Sequence, residues 1–258
     1  MGMSLRLFVS AFCSVSLLAL ASGALRADST ADLIAQGDNF DLRLRAAEAL
    51  QFYLPAEKVQ PSNGILLARI ARQYRYLMAD ATLPDEKLRL GRIALDYSER
   101  AAKAAPNNSE AQLSVAISYG KMLPLLSTRE QLEASSRIKD SADKAIMLDS
   151  RNDLAWHVLG RWHRVLSDTN TLKRGLASLI YGALPRTTIE ESVRCFEMAI
   201  EINPHRLMHY IELGRAYAQM GRTAEARRLI EKGLKMPEVE KDDPETKRRG
   251  RETLAKLR

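Results

Sequence analysis

The sequence predicts an all-α protein, an α-solenoid of about four extended helical hairpins closed by capping helices. Three observations predict it. Strong helix formers (Ala, Leu, Arg, Glu) dominate a chain of 258 residues that is 46% hydrophobic, 28% charged and only 6% aromatic. Alternating runs of Val, Ile and Thr, which announce strands, are absent. One arrangement of large and small residues also recurs along the chain at intervals of roughly 30 to 50 residues, the mark of stacked repeats.

The first 27 residues are of another kind. "MGMSLR" is a short, positively charged start, and "LFVSAFCSVSLLALASGA" then runs apolar from Leu7 to Ala24. Small residues follow at Ala21, Ser22, Gly23, Ala24 and Ala27. This is the three-part design of a secretory signal peptide, residues 1–27, and predicts an exported protein, periplasmic or extracellular. An uncleaved anchor is the alternative, because about 18 apolar residues is near the spanning minimum. Cys13 sits in mid-run after Phe12, so lipid attachment after cleavage is not expected. No second apolar run of that length follows, so no membrane span is expected after cleavage. Residues 1–27 carry Arg6, Arg26 and no acid, which leaves 37 Lys and Arg against 32 Asp and Glu, a charge of about +5. That excess is too small to imply nucleic acid. Cys195 remains as the single cysteine, so an internal disulfide is impossible.

Residues 28–258 read as a single repeat domain. Residues 29–54 form a degenerate leading hairpin with "AQGDNF" as its turn. The repeat itself is clearest in "LMHYIELGRAYAQMGRTAEARRLIEKGLKMP", Leu207 to Pro237. Tyr210, Leu213-Gly214, Tyr217, Gly221, Ala226, Gly233 and Pro237 follow the W-x2-L-G-x2-Y … A … P pattern of a tetratricopeptide repeat. Small residues let two antiparallel helices approach, and large ones fill the gaps between them. The same offsets recur upstream. In unit 64–106, Ala71 and Tyr74 are answered by Ala94, Ala101 and Pro106. In unit 109–150, Ala116 and Tyr119 are answered by Ala145. In unit 153–204, Trp156, Leu159-Gly160 and His163 are answered by Phe196, Ala199 and Pro204. The last unit spans 207–238. The first two units hold about ten extra residues between their helices, "MADATLPDEKL" and "KMLPLLSTRE", and the third about twenty, Ser167 to Thr187. "TLKRGLASLIYGALPRTT" is apolar enough for an extra helix, and residues 243–257 read as a polar capping helix.

The extended hairpins, "LGRW" (Leu159 to Trp162) followed by a hydrophobic insert and "ALP", resemble the regulator of microtubule dynamics family. "PNNSEAQLSVAISYGK" and "IEESVRCFEMAIEINP" share that look, and the resemblance covers residues 30–245. It implies a tetratricopeptide-like superhelix and, as in eukaryotic members, association with microtubules or organelle contact sites. An exported bacterial protein would meet no microtubule, so microtubules are expected as a partner only if the family's partner carries over with its scaffold.

Catalytic motifs are missing: no H-E-x-x-H, G-x-S-x-G or G-x-x-x-x-G-K occurs. The expectation is therefore a non-enzyme without a cofactor, metal or catalytic residues. His205 and His209 share the i, i+4 spacing of a metal pair, but His205 follows Pro204 and no carboxylate is suitably spaced. Trp156 takes the large packing position and is expected to be buried, Cys195 reads as a small hydrophobe, and His163 as a packing imidazole. A metal-binding protein or enzyme centred on Trp156 to His163 is a further alternative.

The strongest functional signal lies on the first helices, which line the concave surface in this repeat class. The residue after the Gly offset and the one three beyond are Arg72 and Arg75, Ile117 and Gly120, Arg161 and Arg164, Arg215 and Ala218. Residues three apart share a helix face. Arg72, Arg75, Arg161, Arg164 and Arg215 therefore predict an arginine-lined groove for a protein or peptide partner of acidic character. The competing expectations are a solvated arginine face, or a structural envelope subunit recruited through its convex face or its insert.

Overall fold

The computed structural model describes residues 30–168 and 187–257. The expected signal peptide and most of the insert helix lie outside the described residues. All regular structure among the described residues is helical, and none of their helices is long and apolar enough to cross a membrane. The chain forms two compact units that divide after Pro61.

The first unit is a hairpin of α1, residues 30–41, and α2, Ala46–Val59. The expected turn "AQGDNF" is instead the last part of α1. The chain reverses over 42–44, where Leu44 takes φ 57°. Gly37 allows α1 and α2 to meet, because a Cβ there would lie 2.4 Å from the Tyr53 ring. The Tyr53 hydroxyl donates to Asp38 at 2.7 Å, and Phe40 stacks on Phe52 at 5.4 Å. Polarity alone suggested a turn, whereas this close approach holds the segment helical.

The second unit begins with α3, Gly64–Asp80, and α4, Pro84–Ala104. It continues through α5, Ser109–Met122, a single 3-10 turn over Leu123–Leu125, and α6, Thr128–Leu148. Next come α7, Asp153–Ser167, and α8, Ile189–Ile202. The unit closes with α9, Leu207–Gln219, α10, Thr223–Lys235, and α11, Asp243–Lys256. Each helix packs on the next from α3 to α10, the first helices α3, α5, α7 and α9 also touch in sequence, and α11 lies on α9 and α10. This is a tetratricopeptide-like helical solenoid. The extra residues expected between α3 and α4 and between α5 and α6 are mostly helix: α4 and α6 each run 21 residues.

Side-chain caps start five of the described helices. Asn63, Asn108 and Asn152 cap α3, α5 and α7, accepting from the N–H of Leu66, Ala111 and Ala155 at 2.9 to 3.1 Å. Ser127 with Glu130, and Thr188 with Glu191, build reciprocal capping boxes for α6 and α8. Packing then joins the pairs. A Cβ on Gly160 would stand 2.9 Å from the buried Phe196 ring, and one on Gly214 would stand 2.6 Å from Ile230. Alanines at the repeat's small positions (Ala71, Ala94, Ala116, Ala145, Ala199, Ala226) are wholly buried. The expectation that Trp156 is buried is not met. Trp162 is buried and donates from Nε1 to the Ser135 carbonyl at 2.9 Å, while Trp156 is only half-buried against the same cluster. The long α6 supplies Ser135 beneath Trp162, a partner that the repeat offsets do not encode.

Candidate functional site

The first-helix layer carries a dense charge cluster. Glu212 of α9 is wholly buried, and burial alone would raise its pKa. Arginines outweigh that. Arg215 Nη1 donates to Glu212 Oε1 at 2.7 Å, Arg164 Nε stands 3.4 Å from Oε2, and Arg249 of α11 lies 3.5 Å from Oε1. With Arg161 also in electrostatic range, they hold the carboxyl far below its ordinary titration range. Four guanidiniums thus face this one carboxylate, and among the described residues only Arg249 has a second, Glu245, at 3.9 Å. The Nε atoms of Arg161, Arg164 and Arg249 are all buried without a hydrogen-bond partner, and of the four arginines Arg161 alone forms no salt bridge among the described residues.

The other two expected arginines lie elsewhere. Arg75 is buried, and its Nη1 donates to Ser114 and Ser118 at 3.0 Å each and to Ser98 at 3.5 Å. The Ser98 hydroxyl in turn bonds those of Ser114 and Ser118 at 2.9 and 2.8 Å, which ties α3, α4 and α5 together. Arg72 is half-buried on α3, outside the Glu212 cluster. Of the five, Arg161, Arg164 and Arg215 are brought together.

A strap crosses this layer. Residues 238–242, between α10 and α11, reach back to the ends of earlier first helices. Lys241 Nζ lies 2.7 Å from Asp80 at the end of α3, and Asp242 accepts from Lys121 Nζ of α5 at 2.5 and 2.6 Å. Glu240 accepts from Arg206 Nη1 at 2.7 Å, ahead of α9. Asp243, buried at the start of α11, fixes the strap backbone by accepting from the N–H groups of Val239 and Glu240 at 2.8 and 2.7 Å. Burial lowers the Lys121 pKa against the pull of Asp242, and Arg75 and Arg161 add to the lowering.

Beside the arginines runs a buried chain of imidazoles. His157 Nδ1 lies 3.0 Å from His209 Nδ1, and His209 Nε2 lies 2.9 Å from Asp153 Oδ2. Arg206 Nε also meets Asp153 at 2.9 Å. An ionised carboxylate only accepts, so neutral His209 carries its proton on Nε2 and His157 donates from Nδ1. His205 is in the preceding turn, its N–H donating to Asn203, so the i, i+4 histidines do not converge. Among the described residues no three His, Cys, Asp or Glu side chains are disposed for a metal ion. Cys195 is buried and its thiol is pushed up to about 12, which leaves it inert at neutral pH.

Sequence reasoning missed Glu212, Arg249, Asp242 and the paired histidines. The i, i+3 spacing of Glu212 and Arg215 was a usable sign of the first. Nothing local placed α11 against α9 or the strap against α5.

A sequence-family model described as "RMD1-3: Regulator of microtubule dynamics protein 1-3" matches residues 30–258. The chain is 25% identical over 191 residues to Regulator of microtubule dynamics protein 2 of Macaca fascicularis, covering 74% of this chain and 47% of that protein. It is 26% identical over 148 residues to Regulator of microtubule dynamics protein 1 of Caenorhabditis elegans, covering 57% of this chain and 66% of that one. The matched region thus spans about half to two thirds of these relatives. Among solved structures, a thermophilic TPR protein of Thermus thermophilus superposes with a TM-score of 0.61 at 16% identity, covering 88% of this chain and 99% of that chain. That likeness shows the fold.

Proposed function

The chain belongs to the regulator of microtubule dynamics family, and from that premise we propose that it is a non-enzymatic scaffold whose basic first-helix face binds an acidic segment of a partner protein or peptide. One observation carries this reading. Arg161, Arg164, Arg215 and Arg249 surround a single carboxylate, Glu212, and the buried Nε of Arg161 has no partner. Such an excess attracts carboxylates, which guanidinium groups hold through paired hydrogen bonds. Catalytic chemistry has less support. The histidine chain is used internally, and the thiol of Cys195 is inert.

The relatives' names bring microtubules in as a partner. The three-part start of the chain supports export instead, and an exported chain would take its acidic partner outside the cytoplasm.

The test is titration of a fluorescein-labelled, glutamate-rich ten-residue peptide, followed by anisotropy. Saturable binding that weakens about tenfold between low and high salt is expected. Equal binding of a lysine-rich peptide, or no binding of either, overturns the reading.

A further inference from the structure

We propose that the strap, residues 238–242, is a built-in acidic competitor for the first-helix face, and that an acidic partner segment binds by replacing Asp242 on Lys121 and Glu240 on Arg206. The inference rests on the binding reading above and adds its regulation.

The geometry supports a strap that lifts while the fold stays intact. Its side-chain anchors are four ion pairs, Lys121 with Asp242, Lys241 with the exposed Asp80, Arg206 with Glu240 and Lys247 of α11 with Glu238, and its backbone rests on Asp243 through the Val239 and Glu240 N–H groups. Their carboxylates keep a third or more of their surface in solvent, which weakens such pairs relative to fully buried ones and leaves them sensitive to salt. The helix that follows is held differently. Gly250 lets α11 sit on α9 and α10, since a Cβ there would lie 3.1 Å from Ile230 and 3.2 Å from Ile211. Arg249 adds its contact with Glu212 at 3.5 Å. The solenoid therefore keeps its cap when the strap's carboxylates leave.

The strap also shows what chemistry fits. Two carboxylates two residues apart, on Glu240 and Asp242, occupy cations of α5 and of the turn before α9. Lys121 is close enough to Arg161 for the two charges to interact. A partner carboxylate on Lys121 would therefore also feel Arg161, whose Nε has no partner. Exchange replaces an internal acid by an external one and leaves the number of buried charges unchanged, which avoids the cost of stripping a cation bare.

The test compares wild type with Glu240→Gln/Asp242→Asn, using the same labelled glutamate-rich peptide. The substitutions keep side-chain size and remove only charge. The double variant is expected to bind about tenfold tighter, the sum of two weak competing pairs removed. In the wild type, peptide should speed hydrogen exchange at the Val239 and Glu240 amides. Lys121→Gln should weaken binding in both backgrounds. Asp80→Asn, which frees Lys241 without touching the cations of the site, should give a smaller tightening, and it keeps the question open to measurement should the double variant fold poorly. Equal affinity of wild type, the double variant and Asp80→Asn, with Arg161→Gln still weakening all three, overturns the strap but leaves the binding face standing. No peptide binding in any variant overturns the binding face, and the strap with it.

Discussion

His157 and His209, from α7 and α9, meet Nδ1 to Nδ1 at 3.0 Å in a site that also holds Asp153. Burial lowers the pKa of both: the neighbouring ring and Arg161 add to the effect at His157, and Asp153 opposes it at His209. Burial lowers His163 as well. The unfolded chain takes up these protons near pH 6.5 while the folded one resists, so stability should be flat above that value and fall below it. Each imidazole kept neutral adds up to about 1.4 kcal/mol per pH unit to the slope. Against burial, which would raise both, arginines hold Glu212 low and the His209 hydrogen bond followed by Arg206 holds Asp153 low, so a second loss should begin below about pH 4.5 as the unfolded carboxylates protonate. Urea melts from pH 8 to 4 read both steps. His157→Gln should make the upper slope shallower, and an unchanged slope would remove the pair as its source.

Trp162 fills the core between α6 and α7 and uses its indole N–H on Ser135. Trp162→Ala should cost about 3–5 kcal/mol, as a lost core aromatic does. Trp156 is half-buried with its N–H on the Ser150 carbonyl, so Trp156→Ala should cost only about 1–2 kcal/mol. Thermal unfolding that ranks them in the opposite order would mean that the register of α7 is misassigned.

Glu212→Gln should act in two opposite directions. It strips the counterion from Arg164 and Arg215 and leaves Arg249 only its longer contact with Glu245, and stability should fall by about 3 kcal/mol, moderated by the partial exposure of the arginines. The same change leaves those cations free for an external carboxylate, so the acidic peptide should bind more tightly. Loss of both stability and binding would mark the cluster as purely structural.

Much of the fold is legible because its determinants are local. The Gly160 and Gly214 offsets, the small alanines and the Pro204 stop each state which helix face meets a neighbour. The turn of the leading hairpin was misplaced because "AQGDNF" is polar in composition but packed through Gly37 and Tyr53, 16 residues apart. The site was half legible. Arg161, Arg164 and Arg215 follow from repeat offsets, whereas Arg75 occupies an equivalent offset yet turns into three serines from two other helices. Asp242 and Lys121 are 121 residues apart, and no periodicity links a strap to the helix it crosses.

Export rests on the first 27 residues and is checked directly. Mass spectrometry of the native protein should show a new N-terminus between Ala24 and Asp28. An intact Met1 in a membrane fraction would support an anchor, and an intact Met1 in the cytoplasm would return microtubules to the front as the partner.

The most direct measurement compares two single charge removals, one on a first helix and one on the second helix of the last hairpin. Arg161→Gln takes one guanidinium from the first-helix cluster, and Arg228→Gln takes one from an exposed stripe of α10 that also holds Arg227, Lys232, Lys235 and the acid Glu231. Their affinities for the glutamate-rich peptide are read at one salt concentration. If the first-helix face is the binding surface, Arg161→Gln weakens binding about fivefold or more and Arg228→Gln changes it less than about twofold. The reverse ranking would place the acidic partner on the α10 stripe and contradict the proposed site.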